Sequence, residues 1–388
     1  MNKENFNTDS NVKNGRLTIK KSDVILYLYL GLITFYYTLN STVIMPKNFS
    51  RILIIALFLG CIQIIKFIKL NLKVLIPILS IVIYIIYTYM HLHDTRIIVI
   101  FVSFLCVIPC NIEQIINVLF YLKLISLFLV ILIGRTGHIN QFALHAGIVI
   151  LLYICKNEKK IIQFYIKCIV ILCSVVLLYL YTKSGSAIIC LSICYFIFIF
   201  KRKKRMMNFL TCKFILLIFP TMSFLNYFFA LCLGLNRIPI IGLFLSSAIN
   251  RSFMNIVNFV DQITSSRLTL ALYSIRKFGS SWFGGNVDYN ILKLQGVEYF
   301  NLDSGYMWLL QGGGYIMTVL LMICLVLIMK YLIKYKAYNY IIAGIGIALW
   351  AFNEDMLISV GTNFLWLFVG KALIDLLKKG TGEHYGNT

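Results

Sequence analysis

The strongest constraint in this sequence is the length of its unbroken apolar runs. Stretches such as 81–90 (IVIYIIYTYM) and 315–329 (YIMTVLLMICLVLIM) contain no charge and no alternation, and a helix that crosses a bilayer needs about 20 residues of this kind. The pattern is not the alternation over about ten residues that marks a membrane β-barrel strand. Over 388 residues the chain is 60% hydrophobic and only 13% charged, whereas a soluble globule is about half apolar and a quarter charged. An all-α, polytopic integral membrane protein is expected. The polar stretch before Val24 and the missing small-residue cleavage site argue against a removed signal peptide.

Apolar runs near 24–40, 52–68, 73–90, 97–112, 114–133, 139–155, 161–182, 185–200, 212–233, 306–330, 338–352 and 357–377 predict about 12 transmembrane helices. This divides the chain into a tail at 1–23, helices over 24–233, a long loop at 234–305, helices over 306–377 and a tail at 378–388. With the N-terminus inside, about 23 of the 36 basic residues fall in inner segments and five in short outer loops. The charge rule then places both termini in the cytoplasm and the long loop outside. KRKKR (201–205) is the strongest anchor of that orientation, and a polybasic stretch of this kind also suits anionic lipid or a cytoplasmic partner. The net charge of +22 therefore needs no nucleic acid to explain it. The eleven cysteines lie in or beside apolar runs and the long outer loop has none, which predicts packing residues and no disulfide framework or metal site.

The long outer loop is too polar to span and too large for a connector. Within it, 251–263 places Phe253, Ile256, Val257, Val260 and Ile263 on one face, as in a helix lying at the membrane interface or against the bundle. A second helix is expected to start after Ser265 or Ser266 and to end at Gly279. Arg267 in its first turn and Arg276 nine positions later fall on opposite sides. Arg267 has the better claim on a phosphate, because helix N-terminal amides would add to its guanidinium; the alternative is a solvated or headgroup-facing arginine. Beyond it, 280–290 and 297–316 interleave glycines and acids with aromatics such as Trp282 and Tyr306, suited either to a sugar face or to an interfacial belt. Asp303 either caps the helix that starts near Gly305 or faces a pocket as a base.

Of ten arginines, seven fall outside by this topology and three inside, where lysine dominates. Arginine is the better bidentate phosphate ligand, so the outer face reads as built to meet an anion. Three further polar groups belong to that face. Arg135, His138, Gln141 and His145 descend one stripe from the turn at 134–147, facing either a cavity or a neighbouring helix. Lys183, Ser184 and Ser186 form another outer turn. Glu354 and Asp355 close the last outer hairpin, with or without a role.

The layout resembles the Wzy-type polysaccharide polymerases, within the O-antigen polymerase and ligase group. The resemblance rests on the late outer loop and on three segments, SSRLTLALYSIRKFGSSWFGG (265–285), LDSGYMWLLQGGGYI (302–316) and AFNEDMLISVGTNFLWLFVG (351–370). It implies a metal-independent, cofactor-free glycosyltransferase at the outer face of a bacterial plasma membrane. It would join oligosaccharide repeat units carried on undecaprenyl diphosphate as donor and acceptor, beside a flippase and a chain-length regulator. On that basis Arg267, Asp303 and His138 are the expected catalytic residues, and Arg135, Arg276, His145, Lys183, Tyr306, Trp282 and Glu354 the expected substrate contacts. Two departures stand out: 181–187 has Lys-Ser-Gly-Ser where relatives often carry an arginine after serine, and 234–305 contains no histidine, which favours polymerase over ligase. A lipid-linked oligosaccharide flippase or transporter is the rival reading. It would favour internal repeats and several charges within spans, where each costs roughly 2.5–3.5 kcal/mol on insertion scales. The sequence shows no repeat, and of the basic residues the topology assigns only Lys123 and Lys167 to positions within spans, away from their ends.

Overall fold

The computed structural model describes residues 24–42, 47–67, 95–108, 110–133, 139–236, 247–285 and 303–381. The expected span at 73–90, and Arg135 and His138 with their turn, lie outside the described residues. Every regular element among the described residues is helical. In chain order they are α1 (Val24–Thr42), α2 (Arg51–Phe67), α3 (Arg96–Val107), α4 (Ile112–Ile133), α5 (Ile139–Cys155), α6 (Ile161–Thr182) and α7 (Gly185–Phe200). After them come α8 (Lys204–Leu210), α9 (Ile218–Leu235), α10 (Ser247–Ile263), α11 (Arg267–Phe278), α12 (Gly305–Lys334), α13 (Tyr338–Trp350) and α14 (Val369–Thr381), with minor turns between.

Five of these helices, α1, α4, α6, α9 and α12, are long and apolar enough to cross a membrane. Five apolar helices of 10–17 residues accompany them, so the described residues stop short of the expected count of twelve. The last run shows why an apolar stretch is not always a span. Residues 357–377 do not form one helix. The chain turns irregularly through 351–363, makes a short 3-10 segment at Phe364–Phe368 and only then enters α14. Met356, Leu357, Ile358, Val360, Leu365 and Trp366 are all buried, so this run is apolar because protein surrounds it. Irregular backbone is tolerated at membrane depth only in such protein-covered places, and here Asn363 and Trp366 both donate side-chain hydrogen bonds to the Leu357 carbonyl, at 2.9 and 2.7 Å.

Two helices show how the bundle is layered. In α6, Ile162, Tyr165, Ile166, Ile169, Leu177 and Leu180 are exposed, a contiguous apolar face that in water would be an aggregation site and that fits acyl chains. By contrast α13 is apolar all round, and Ile341, Ile342, Ala343, Ile347, Ala348 and Trp350 are almost fully buried, as an inner helix should be. Gly147 of α5 lets Trp350 approach, since a Cβ there would sit 2.1 Å from the indole ring. The inner helix thus runs through the bundle and delivers the turn that begins at Ala351 to one end of it.

Candidate functional site

The site is assembled where that turn meets α3, α9, α11 and the start of α12. The amide of Gly305 donates to the carbonyls of Ala351 and Glu354, at 3.0 and 3.2 Å. Asn226 of α9 donates to the Phe352 carbonyl at 3.1 Å. Arg96 of α3 pairs with Asp355 at 2.6 Å while its guanidinium lies 4.4 Å from the centroid of the Trp308 ring. Backbone and side chain from three elements, α3, α9 and α12, therefore fix the position of Glu354.

Arg267 forms an ion pair with Asp303, and the two side chains are only 10% and 7% exposed. A charge pair this deep costs several kcal/mol per ion to desolvate unless it is well paired. The two readings of Asp303 separate here. Ser304, not Asp303, caps the helix at Gly305, its hydroxyl accepting from the Met307 amide, and the Asp303 carboxylate serves Arg267 instead. Glu354 is buried within the field of Arg267. Burial pushes its carboxyl up to about 7, with the neighbouring Asp355 adding to the rise and Arg267 opposing it. One arginine thus faces two carboxyls, and the second changes charge near neutral pH.

The start of α11 differs from expectation. Ser265 and Ser266 both take left-handed backbone and make a sharp reversal between α10 and α11. The cap comes from Asp261, whose Oδ1 accepts from the amides of Leu268 and Thr269 at 2.9 and 3.0 Å and whose Oδ2 accepts from the Thr269 hydroxyl at 2.6 Å. A carboxylate already fills the anion site that the helix terminus offers, so those amides are not open to a phosphate and Arg267 acts without them. The preceding α10 joins both predicted settings. Val257 is buried and Phe253 packs on Phe228 and Phe229, while Ile256, Phe259 and Ile263 remain exposed.

Glycines hold the neighbouring turn against α12. Gly284 has φ +80°, and a Cβ there would lie 1.9 Å from the Gly312 carbonyl oxygen; Gly314 has φ +75°, and its Cβ would lie 2.2 Å from the Gly284 amide nitrogen. Side chains at either position would force the two backbones apart. Their approach allows Gly285 to donate to the Gln311 carbonyl at 2.9 Å, and Tyr315 and Ile316 to donate to the carbonyls of Ser281 and Trp282 at 3.1 and 3.2 Å. Residues Leu309–Gly313 form a π turn, a distortion common at functional sites, and the docked turn satisfies the backbone groups that it frees. Gln311 also accepts from the buried Ser274 hydroxyl of α11.

Other predicted residues are placed apart from this centre. Tyr306 is fully buried, and its hydroxyl donates to the Ala348 carbonyl at 2.9 Å; it anchors α12 to α13 and shows no face to a sugar. His145 is likewise buried. Lys123 donates to its Nδ1, and because the Ser41 hydroxyl donates to the Tyr37 carbonyl, His145 Nε2 is the donor to Ser41. Both ring nitrogens are occupied. Arg276 donates to the Gly234 carbonyl at 2.8 Å, away from Arg267 as the helical rotation required. Lys183 is exposed, adopts left-handed backbone and closes the end of α6. Trp282 is 69% exposed and meets Tyr315 edge-on, so of Tyr306 and Trp282 it is the one that remains available.

Sequence reasoning missed Asn226, Gln311 and Asn353. Asn226 Oδ1, Gln311 Nε2 and Asn353 Oδ1 are buried with no partner among the described residues. Unpaired buried polar atoms are costly; Asn353 lies in the turn that holds Glu354 and Asn226 is bonded to it, while Gln311 lies where α11 and the glycine turn meet α12. A polar residue inside an apolar run was the available signal at 226 and 311. Among the described residues no group of three His, Cys, Asp or Glu side chains gathers to hold a metal. Comparison with protein-family models, with curated proteins and with solved structures finds no match.

Proposed function

We propose that this chain is a membrane glycosyltransferase that polymerises oligosaccharide repeat units carried on undecaprenyl diphosphate, at the outer face of a bacterial plasma membrane with both termini cytoplasmic. The observation that carries the reading is the buried Arg267–Asp303 pair with a near-neutral Glu354 in its field. The acceptor hydroxyl oxygen attacks the anomeric carbon of the donor as the bond to the lipid diphosphate breaks. The diphosphate leaves with the bonding electron pair, and Arg267 stabilises its growing charge. Asp303 is a positioning residue that fixes the guanidinium, which leaves the role of base to Glu354. Its carboxylate takes the hydroxyl proton, and a base with a pKa near the working pH is the efficient choice. Trp282 supplies an exposed aromatic face for a sugar, and the buried unpaired Asn226 Oδ1 and Gln311 Nε2 suit its hydroxyls. The flippase and chain-length regulator stand beside the enzyme in this proposal.

Deletion of the gene followed by restoration with wild type, Arg267→Lys or Glu354→Gln tests it, with surface glycan and lipid-linked intermediates read together. The expected result of deletion is loss of long chains while single units still reach the outer face. Neither variant restores long chains, because lysine keeps the charge but loses the bidentate fork and glutamine accepts no proton. Units trapped on the cytoplasmic side would replace this reading with a flippase, and unchanged chain length would end it.

A further inference from the structure

The other end of the bundle holds a cavity of about 530 Å³ between the α5–α6 turn, the end of α7 and the start of α13. It lies one helix length from Glu354, since α13 begins at the cavity and ends at the Glu354 turn, roughly 20 Å at 1.5 Å per residue. Its floor is a buried charge cluster. Glu158 receives Lys167 at 2.5 Å and Lys201 at 2.8 Å, with all three side chains at most 10% exposed. Lys201 also donates to Asn339 at 2.6 Å, and Asn339 donates to the Lys156 carbonyl at 3.1 Å. The acid is therefore outnumbered on the floor itself.

Two more cations line the cavity, Arg202 and Lys336, both exposed and neither paired with a carboxylate among the described residues. Arg202 is held by stacking over Phe164 at 4.4 Å, which leaves its N–H edge free to donate. Lys201 has a third N–H beyond the two spent on Glu158 and Asn339. Three cationic donors thus converge on a space that contains one neutralised acid. The neighbouring face of α6 is apolar and exposed at Ile161, Ile162 and Tyr165, so a ligand with acyl chains could enter from the bilayer. Basic pockets at helix ends of this kind recognise lipid phosphates.

We infer that this cavity binds the phosphate of an anionic phospholipid headgroup, with Lys201, Arg202 and Lys336 as its ligands. The site is independent of the Arg267 centre and of the chemistry proposed there. The test uses the full chain in detergent, titrated with nitroxide-labelled phosphatidylglycerol and, separately, with labelled phosphatidylcholine. Phosphatidylglycerol binds selectively, and the double variant Arg202→Gln/Lys336→Gln lowers its affinity roughly thirtyfold, two cations each contributing roughly five- to sixfold. Lys159→Gln/Lys160→Gln removes two exposed charges from the same end that do not line the cavity, and leaves the affinity within about twofold. Both variants alter exposed side chains, and an unchanged thermal midpoint establishes that they fold. Equal losses from the two double variants, or equal binding of the two lipids, would overturn the site. Displacement of the labelled lipid by millimolar inorganic phosphate would keep the phosphate site but reassign its occupant to a soluble phosphate, overturning the lipid.

Discussion

The two ends of α13 carry buried ion clusters of opposite balance. At the Ala351 end one arginine, Arg267, faces Asp303 and Glu354; at the Tyr338 end one glutamate, Glu158, faces Lys167 and Lys201. In the first cluster acids are in excess, and burial leaves one of them able to gain or lose a proton near neutrality. In the second, cations are in excess. Burial tends to raise the Glu158 carboxyl, but the hydrogen bonds from its two lysines outweigh it and hold the group below its usual range. Similar residue types therefore make a centre that can change charge at one end and a fixed clamp at the other, and the stoichiometry of charge decides which.

The largest effect that breaks the comparison comes from removing the central acid of each cluster. Glu158→Gln leaves two lysines facing each other in a buried site, and stripping one partner from a buried pair costs about 3–5 kcal/mol. Glu354→Gln removes a carboxyl that burial disfavours, and leaves Arg267 still paired with Asp303. Thermal unfolding in detergent should show a large loss for the first variant and none, or a small gain, for the second, while only the second abolishes polymer through chemistry. A large loss of stability for Glu354→Gln would make Glu354 a structural counter-ion and remove it from the proposed mechanism.

The pH dependence sharpens the same contrast because the signs are opposite. Glu354 has a folded-state pKa of about 7 against an ordinary 4.5, so between those values the folded chain holds more protons than the unfolded one. Its contribution to stability is fully present below the ordinary value and is lost as pH rises through about 7. Glu158 is shifted downward, so its contribution is present above the ordinary value and is lost as pH falls. Polymerisation by membranes should rise as pH passes through about 7, when Glu354 ionises, and unfolding followed in parallel should show the stability falling between about 4.5 and about 7. Glu354→Gln flattens that part of the stability profile. A profile unchanged in the variant would assign the titration to another group.

The helices behind this contrast were legible in the sequence, but the two ion clusters were not. The apolar runs announced the helices, and the end of α11 at Gly279 followed from the glycine signal. The opposed directions of Arg267 and Arg276 followed from helical rotation alone. What failed were readings that depend on tertiary neighbours. Periodicity and hydropathy cannot distinguish an apolar run facing lipid from one enclosed by protein, so 357–377 read as a span. Local capping rules pointed to Ser265 or Ser266, whereas Asp261 reaches across a turn whose left-handed serines have no strong signature. The pairing of Arg267 with Asp303, and the burial that lifts Glu354, join segments far apart in the chain.

The smallest effect concerns Lys183, the basic residue that the resemblance placed at a substrate. It sits at the end of α6 with φ +54°, and its amide donates to the Tyr179 carbonyl at 2.8 Å. Left-handed backbone disfavours a residue with a Cβ and favours glycine, which commonly ends helices in this way. The side chain itself is exposed, with its ammonium 5.6 Å from the Tyr179 ring, and exposed contacts of this kind contribute little. Lys183→Gly should therefore raise stability by about 0.5–1 kcal/mol, seen as a modest increase in thermal midpoint. Lys183→Gln, which keeps the strained backbone and removes only the charge, should leave the midpoint unchanged. If Lys183 is solely a helix terminus, both variants restore full glycan chain length to the deletion strain. If the charge also meets a diphosphate, both shorten the chains to the same extent, and the active centre must then extend from the Arg267–Glu354 cluster to the turn between α6 and α7.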